Sequence, residues 1–230
     1  MNDFYSDTKT KPSHAMLEYA LGRTFGDEQQ DEDPTTLELC ERVAHLLGKE
    51  SAVFLPSGTM CNEIAIKVQT SPGDEIICGR SSHIINFEGG APAAMSGVMI
   101  HPLDGKYGQF TEEDVRQALR PESRYEPISR MLCAEQTANL GGGAVWQLEK
   151  LDSVAQVAKN SGLSTHLDGA RLLNACVKTG ISAAHYSREY DSCWIDFTKG
   201  LGAPMGAVLA GSAEFIQAAW RVKQLSLIHI

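Results

Sequence analysis

Two short stretches carry residues whose types and spacing could do chemistry: His166-Leu-Asp168-Gly-Ala-Arg171 and Asp196-Phe-Thr-Lys199-Gly-Leu-Gly-Ala-Pro204. Each follows a short apolar run that reads as a buried strand, Leu163 to Leu167 in the first case and Cys193 to Phe197 in the second. In open α/β sheets ligands bind outside the carboxyl ends of strands, so Asp168 and Lys199 are predicted to face one crevice. Gly200, Gly202 and Gly206 give the lysine a close-approaching backbone, as a covalent cofactor site needs. Lys199 could form a Schiff base there, with Asp168 keeping a pyridine nitrogen protonated. Taken singly, each has a plainer reading. A lysine after a strand is usually solvated, and a lone aspartate is commonly a helix cap. The ordered pair of motifs is far more specific.

A second chemical feature lies earlier. Ser51 to Leu55 reads as a strand running into Pro56-Ser57-Gly58-Thr59-Met60, which opens a helix carrying Ile64, Ala65 and Val68. The free N–H groups of a helix start favour a phosphate dianion, Gly58 permits close approach, and the Thr59 hydroxyl could add a bond. By itself Ser-Gly-Thr is weak, since most such triplets only cap helices. Neither a Walker loop nor a G-x-G-x-x-G nucleotide fingerprint is present.

The rest of the chain supplies the elements that must position these groups. Thr35-Thr36-Leu37-Glu38 spells a capping box with Thr35 as cap. Leu39, Val43, Leu46 and Leu47 then recur at helical spacing up to Gly48. Pro72-Gly73-Asp74 is a turn before a strand over Glu75 to Cys78, and residues 102–110 read as a loop. Thr111 caps a helix, Met131 to Glu135 is a strand, and Leu148 to Ser161 is an amphipathic helix closed by Gly162. Alternating strands and helices give an α/β sandwich with a largely parallel sheet. Residues 1–34 read as a polar, solvated arm.

The motifs around Asp168 and Lys199 resemble those of the threonine aldolase group within the aromatic amino acid β-eliminating lyase family. These are pyridoxal 5′-phosphate (PLP) enzymes of the aspartate aminotransferase-like fold. The likeness runs from Tyr5-Ser6-Asp7-Thr8 to about Lys223. It implies that Lys199 binds PLP, that Asp168 pairs with the ring nitrogen, and that Ser57, Gly58 and Thr59 hold the phosphate. His83 would lie over the ring, near the bonds that break at Cα. Arg171 and Ser6 would grip the substrate carboxylate. The sequence departs from the family at three positions: Tyr5 where many relatives have arginine, Gln30 where many have tyrosine, and Ala138 at a histidine position.

The resemblance also implies a division into an N-terminal arm (1–34), a PLP-binding large domain (35–223) and a truncated or foreign tail (224–230). The family's small C-terminal domain, with its Gly-Gly-x-Met-Arg-Gln segment, would be missing. The expected activity is retro-aldol cleavage of a β-hydroxy-α-amino acid, threonine or allo-threonine, to glycine and an aldehyde. The full-length protein would be a homodimer or homotetramer. Two competing expectations stand beside it: β-elimination from another amino acid, and a non-catalytic fragment that docks on a complete subunit.

Composition excludes several other classes. The 230 residues carry a net charge of −9, which argues against a nucleic-acid or anionic-membrane surface. Their 43% hydrophobic and 21% charged content is that of an ordinary globular protein. The six cysteines are widely spaced with no C-x-x-C pair, so reduced thiols in the cytoplasm are expected. No signal-peptide pattern, transmembrane run, H-E-x-x-H metal motif or G-x-S-x-G elbow occurs.

Overall fold

The computed structural model describes residues 3–227, built around one seven-stranded sheet. Its strands are β1 (Ser51–Leu55), β2 (Glu75–Gly79), β3 (Met99–Leu103), β4 (Ser129–Glu135), β5 (Ser164–Asp168), β6 (Ser192–Asp196) and β7 (Ala207–Gly211), in spatial order β1-β7-β6-β5-β4-β2-β3. Only β7 runs against the rest, pairing antiparallel with both β1 and β6. The carboxyl ends of β1, β2, β4, β5 and β6 therefore lie along one edge, as the sequence predicts.

Side chains alternate across this sheet. On one face Leu132, Ala134, Leu167, Ile195 and Val208 are buried in a large apolar cluster. Helices α2 (Pro34–Leu47), α5 (Glu112–Ala118), α6 (Leu148–Asn160), α7 (Leu172–Thr179) and α8 (Ala183–Ser187) contribute to it. On the other face Met131, Cys133, Trp194, Ala207 and Leu209 pack beneath α3 (Gly58–Gln69), α4 (His83–Asn86) and α9 (Ala213–Leu227). His166 and Asp168 alternate onto this second face, which is why a polar site can form under α3.

Several local expectations are corrected. The cap of α2 is Asp33, whose Oδ1 accepts from the Thr36 N–H at 2.8 Å, with Pro34 at the first helical position. Thr35 instead donates its hydroxyl to the Thr24 carbonyl at 2.8 Å. The capping box at Thr111–Asp114 does form. The 102–110 loop begins inside β3, an edge strand in which Pro102 is tolerated. The arm is not structureless: it holds α1 (His14–Leu21) and docks on the body through Asp7 and Thr10. Helix α9 continues to Leu227 with no break at 223, and residues 228–230 of the expected tail lie outside the described residues. All six cysteines are free thiols. No described helix is long and apolar enough to cross a membrane.

Candidate active site

The sheet edge brings four elements together. Asp168 ends β5 and is 2% exposed. Its Oδ2 accepts from Asn62 Nδ2 at 2.9 Å, and its Oδ1 from the Ala170 N–H at 3.1 Å. Lys199 follows β6 by three residues. Its Nζ lies 3.1 Å from Asp196 Oδ2 and 5.7 Å from the centroid of the Trp194 ring. His83 opens α4, with Nδ1 2.7 Å from Glu88 Oε1.

Ser57 caps α3 by accepting from the Met60 N–H at 3.2 Å, which leaves the first-turn N–H groups of Gly58 and Thr59 without an intrahelical partner. The need for glycine at 58 comes from the protein itself. A Cβ there would sit 2.1 Å from Trp194 Cη2. The Trp194 indole thus spans from the start of α3 to the lysine.

At the centre is Asn62, fully buried on α3. Its Nδ2 donates to Asp168 Oδ2 and, at 2.7 Å, to Glu88 Oε1. Its Oδ1 accepts from Trp194 Nε1 at 2.7 Å and lies 3.0 Å from His166 Nε2. An indole N–H can only donate and a carboxylate accepts, so the amide has one consistent orientation. It follows that His166 carries its proton on Nε2 and accepts the Ser192 hydroxyl at Nδ1, 2.7 Å away. Burial pulls the His166 imidazole down to about 3, so it stays neutral. Asn62 links the His83–Glu88 pair to Asp168.

The electrostatics favour a cation in this crevice. Burial raises the Asp168 carboxyl; the Asn62 and Ala170 donors and the charges of Lys199 and His83 oppose that rise. Glu135, beside Asp168 in the β4–β5 register, is pushed up to about 8 by burial and then by the Asp168 charge. A protonated pyridine nitrogen would supply the missing positive charge at Asp168. The unclaimed N–H groups at Gly58 and Thr59 suit a phosphate. On this donor set the residues fit PLP.

Two expected contacts look different in place. Arg171 is held by Asp7 of the arm, Nε to Oδ2 and Nη2 to Oδ1, both at 2.7 Å. Ser6 accepts from the Thr8 N–H at 3.2 Å and lies 2.9 Å from the Thr8 hydroxyl, capping a short turn beside Asp7. A separate groove of about 420 Å³, between residues 28–33, β1 and α9, shares none of these side chains.

Comparison with known families decides the relationship. A family model described as beta-eliminating lyase matches residues 3–226. The chain belongs to the β-eliminating lyase family. Similar family members include low-specificity L-threonine aldolase 1 of Arabidopsis thaliana, 37% identical over 96% of this chain and 63% of its own length. The low specificity L-threonine aldolase of Escherichia coli K12 is 34% identical over 98% of this chain and 67% of its own. The chain thus spans under two thirds of the Arabidopsis relative. A solved threonine aldolase from Leishmania major superposes with a TM-score of 0.85 at 23% identity, covering 96% of this chain and 66% of that one. That likeness bears out the aspartate aminotransferase-like large-domain fold.

Asn62, Glu88 and Trp194 were not legible as site residues. A buried asparagine within an amphipathic helix is the one sequence signal that could have pointed to Asn62.

Proposed function

We propose that this chain forms the cofactor-binding part of a PLP-dependent lyase that cleaves threonine or a related β-hydroxy-α-amino acid to glycine and an aldehyde. The observation that carries the reading is the convergence of Lys199, Asp168 and His83 at one sheet edge, the last two tied through Asn62 and Glu88. The names of the Arabidopsis and Escherichia coli relatives support the substrate class.

Lys199 would hold the cofactor covalently, Asp168 would pair with its ring nitrogen, and Ser57, Gly58 and Thr59 would take its phosphate. PLP, when bound, would supply an electron-withdrawing ring that stabilises negative charge at Cα. The protein's own work is orientation. Arg171 and Ser6 would hold the substrate carboxylate and so fix the orientation of the Cα–Cβ bond that breaks. Arg171 must exchange Asp7 for that carboxylate. Since Glu88 accepts a hydrogen bond from the Nδ1–H of His83, Nε2 is left as the acceptor for the proton of the β-hydroxyl. Ala138 offers no second base.

Homo-oligomeric assembly of the full-length protein belongs to the same reading. The exposed Leu17, Tyr19, Leu21 and Phe25 of the arm support it.

The deciding experiment is product analysis after adding PLP and threonine, with the chain extended by a relative's C-terminal segment as a second sample. Glycine and acetaldehyde are expected. Release of 2-oxobutanoate and ammonia, with neither of those, would replace cleavage by elimination.

A further inference from the structure

One buried acid in this region has no role in the site as described. Glu63, next to Asn62 on α3, is 3% exposed, and neither of its carboxyl oxygens has a hydrogen-bond donor. Its neighbour Glu88 is 5% exposed, and Glu88 Oε2 is likewise without a donor. The two carboxyl groups lie within interaction range of each other. Two buried carboxylates cannot stand together as anions, because both desolvation and mutual repulsion disfavour the second charge. The absent donor is a proton on one of them.

The surroundings decide which. Glu88 Oε1 is approached by two donors, Asn62 Nδ2 and His83 Nδ1, both at 2.7 Å, so the negative charge is supported there. Glu63 has no such support. Lys67, one turn along the same helix, is turned away to the Met95 carbonyl at 2.9 Å. Residues 92–96, which pack on α3, carry no titratable group. Asp168 from β5 shares the Asn62 amide with Glu88, and His83 from α4 and Lys199 from the loop after β6 are the basic groups that act on Asp168. His166 is neutral, and burial raises the nearby Cys61 and Cys133 thiols.

We infer that Glu63 is a protonated carboxylic acid that donates its proton as a hydrogen bond to Glu88 Oε2, and that it thereby acts as a positioning residue for His83. The pair carries one negative charge, located on Glu88. Burial and the neighbouring Glu88 push the Glu63 carboxyl up to about 9, in keeping with that assignment. The consequence is a fixed tautomer at His83: Nδ1 bears the proton, and Nε2 remains open towards the crevice. The value of that tautomer for catalysis rests on the PLP reading above. The proton on Glu63 does not.

The two are separated by working on the chain without added PLP. Side-chain carboxyl ¹³C resonances are followed against pH, with Glu63 assigned by its loss in Glu63→Gln. Glu63 is expected to keep a protonated-acid shift through neutrality and to move only near pH 9. Titration alongside the exposed glutamates, near about 4.3, would overturn the inference. Glu63→Gln and Glu63→Met then test the link to His83 through its Nδ1–H resonance. Gln still offers Glu88 a donor and should leave that resonance in place. Met removes the donor, concentrates charge on Glu88 Oε1 and should move it downfield. An unmoved resonance in the Met variant would remove Glu63 from the positioning of His83. Neither readout depends on whether the chain cleaves threonine.

Discussion

Arg171 and Asp7 are joined by two parallel 2.7 Å hydrogen bonds across 164 residues of sequence. The pair fastens the N-terminal arm to the strand end that carries Asp168. A guanidinium gripping a carboxylate with both forks is the arrangement that would seize an amino-acid substrate. Asp7 therefore occupies, from within the chain, the partner surface expected of a ligand. Thr10, donating its hydroxyl to the Thr198 carbonyl at 3.2 Å, adds a second tether next to the lysine loop.

Asp7→Asn should loosen the arm. The pair is partly exposed, so its worth is that of a good surface bridge, about 1 kcal/mol, or roughly a fivefold rise in the population of the undocked arm. Tryptic cleavage after Lys9 should accelerate by a similar factor. The Arg171 hydrogen bonds, helped by its charge, hold the Asp7 carboxyl below its usual range. A carboxyl lowered in the folded state stabilises above its unfolded value and loses that contribution as pH falls through the folded one. Cleavage of the wild-type arm by an acid-tolerant protease should therefore rise below about pH 4. Equal cleavage of variant and wild type would show that the bridge does not hold the arm.

Lys199 is expected to be the single attachment point for PLP. Borohydride reduction of the loaded chain followed by peptide mapping should find the pyridoxyl group in the peptide containing Thr198 and Lys199. Lys67 is directed to the Met95 carbonyl, and Lys178 lies in the last turn of α7. Recovery of the label on either of these would overturn the site.

The strand ends were legible in the sequence because a buried parallel strand is a short apolar run, and the charged residue that stops the run is the one delivered to the crevice. Asp168 follows that rule; β6 ends on Asp196, and Lys199 comes three residues later. The helix starts at Ser57 and Thr111 were legible because their caps are local. Strand β3 was not: His101 and Pro102 break its apolar pattern, and both are tolerated only because β3 is an edge. Asn62 was hidden for a different reason. Its partners Glu88, His166, Asp168 and Trp194 lie 26, 104, 106 and 132 residues away, a set that no local spacing encodes. Arg171 could be placed at the crevice from its motif, but its pairing with Asp7 depends on where the arm folds back.

Stability without PLP should fall as pH rises from about 7 to 9. Glu135 and Glu63 are raised to about 8 and about 9, from an ordinary 4.5. Above 4.5 the unfolded chain has released these protons while the folded chain still binds them. The folded state then loses ground by up to about 1.4 kcal/mol per pH unit for each group. Glu63→Gln needs no proton to fill its place. Its thermal midpoint should exceed that of wild type at pH 8, with the advantage vanishing at pH 4. On the acid side His166 acts oppositely. It is lowered to about 3, so its contribution is lost as pH falls from about 6.5 towards 3. A wild-type midpoint that stayed flat or rose between pH 7 and 9 would contradict the assignment of protons to these two acids.

Asn62 should prove the most sensitive polar residue in the core. Asn62→Leu keeps the branched outline of the side chain but strips donors from Asp168 and Glu88, and an acceptor from Trp194 and His166. Each buried polar group left unpaired costs about 1–3 kcal/mol, although relaxation and proton uptake by the carboxylates will recover part of the sum. Trp194→Phe removes the indole N–H and part of the ring packed beside Gly58, but Asn62 Oδ1 still has His166. Urea unfolding at pH 7 should therefore rank wild type, Trp194→Phe and Asn62→Leu in falling order, with the asparagine variant at least about 2 kcal/mol below the tryptophan variant. The loss should also show in the cofactor. With Asn62 gone, Asp168 and Glu88 no longer share one amide, and one of them takes a proton to relieve the repulsion. PLP affinity of a folded Asn62→Ser variant should then fall roughly tenfold, as expected for about 1.4 kcal/mol, the cost of weakening one charge-assisted partner of the ring nitrogen. Wild-type PLP affinity and stability in both asparagine variants would show that Asp168 holds its place without this link.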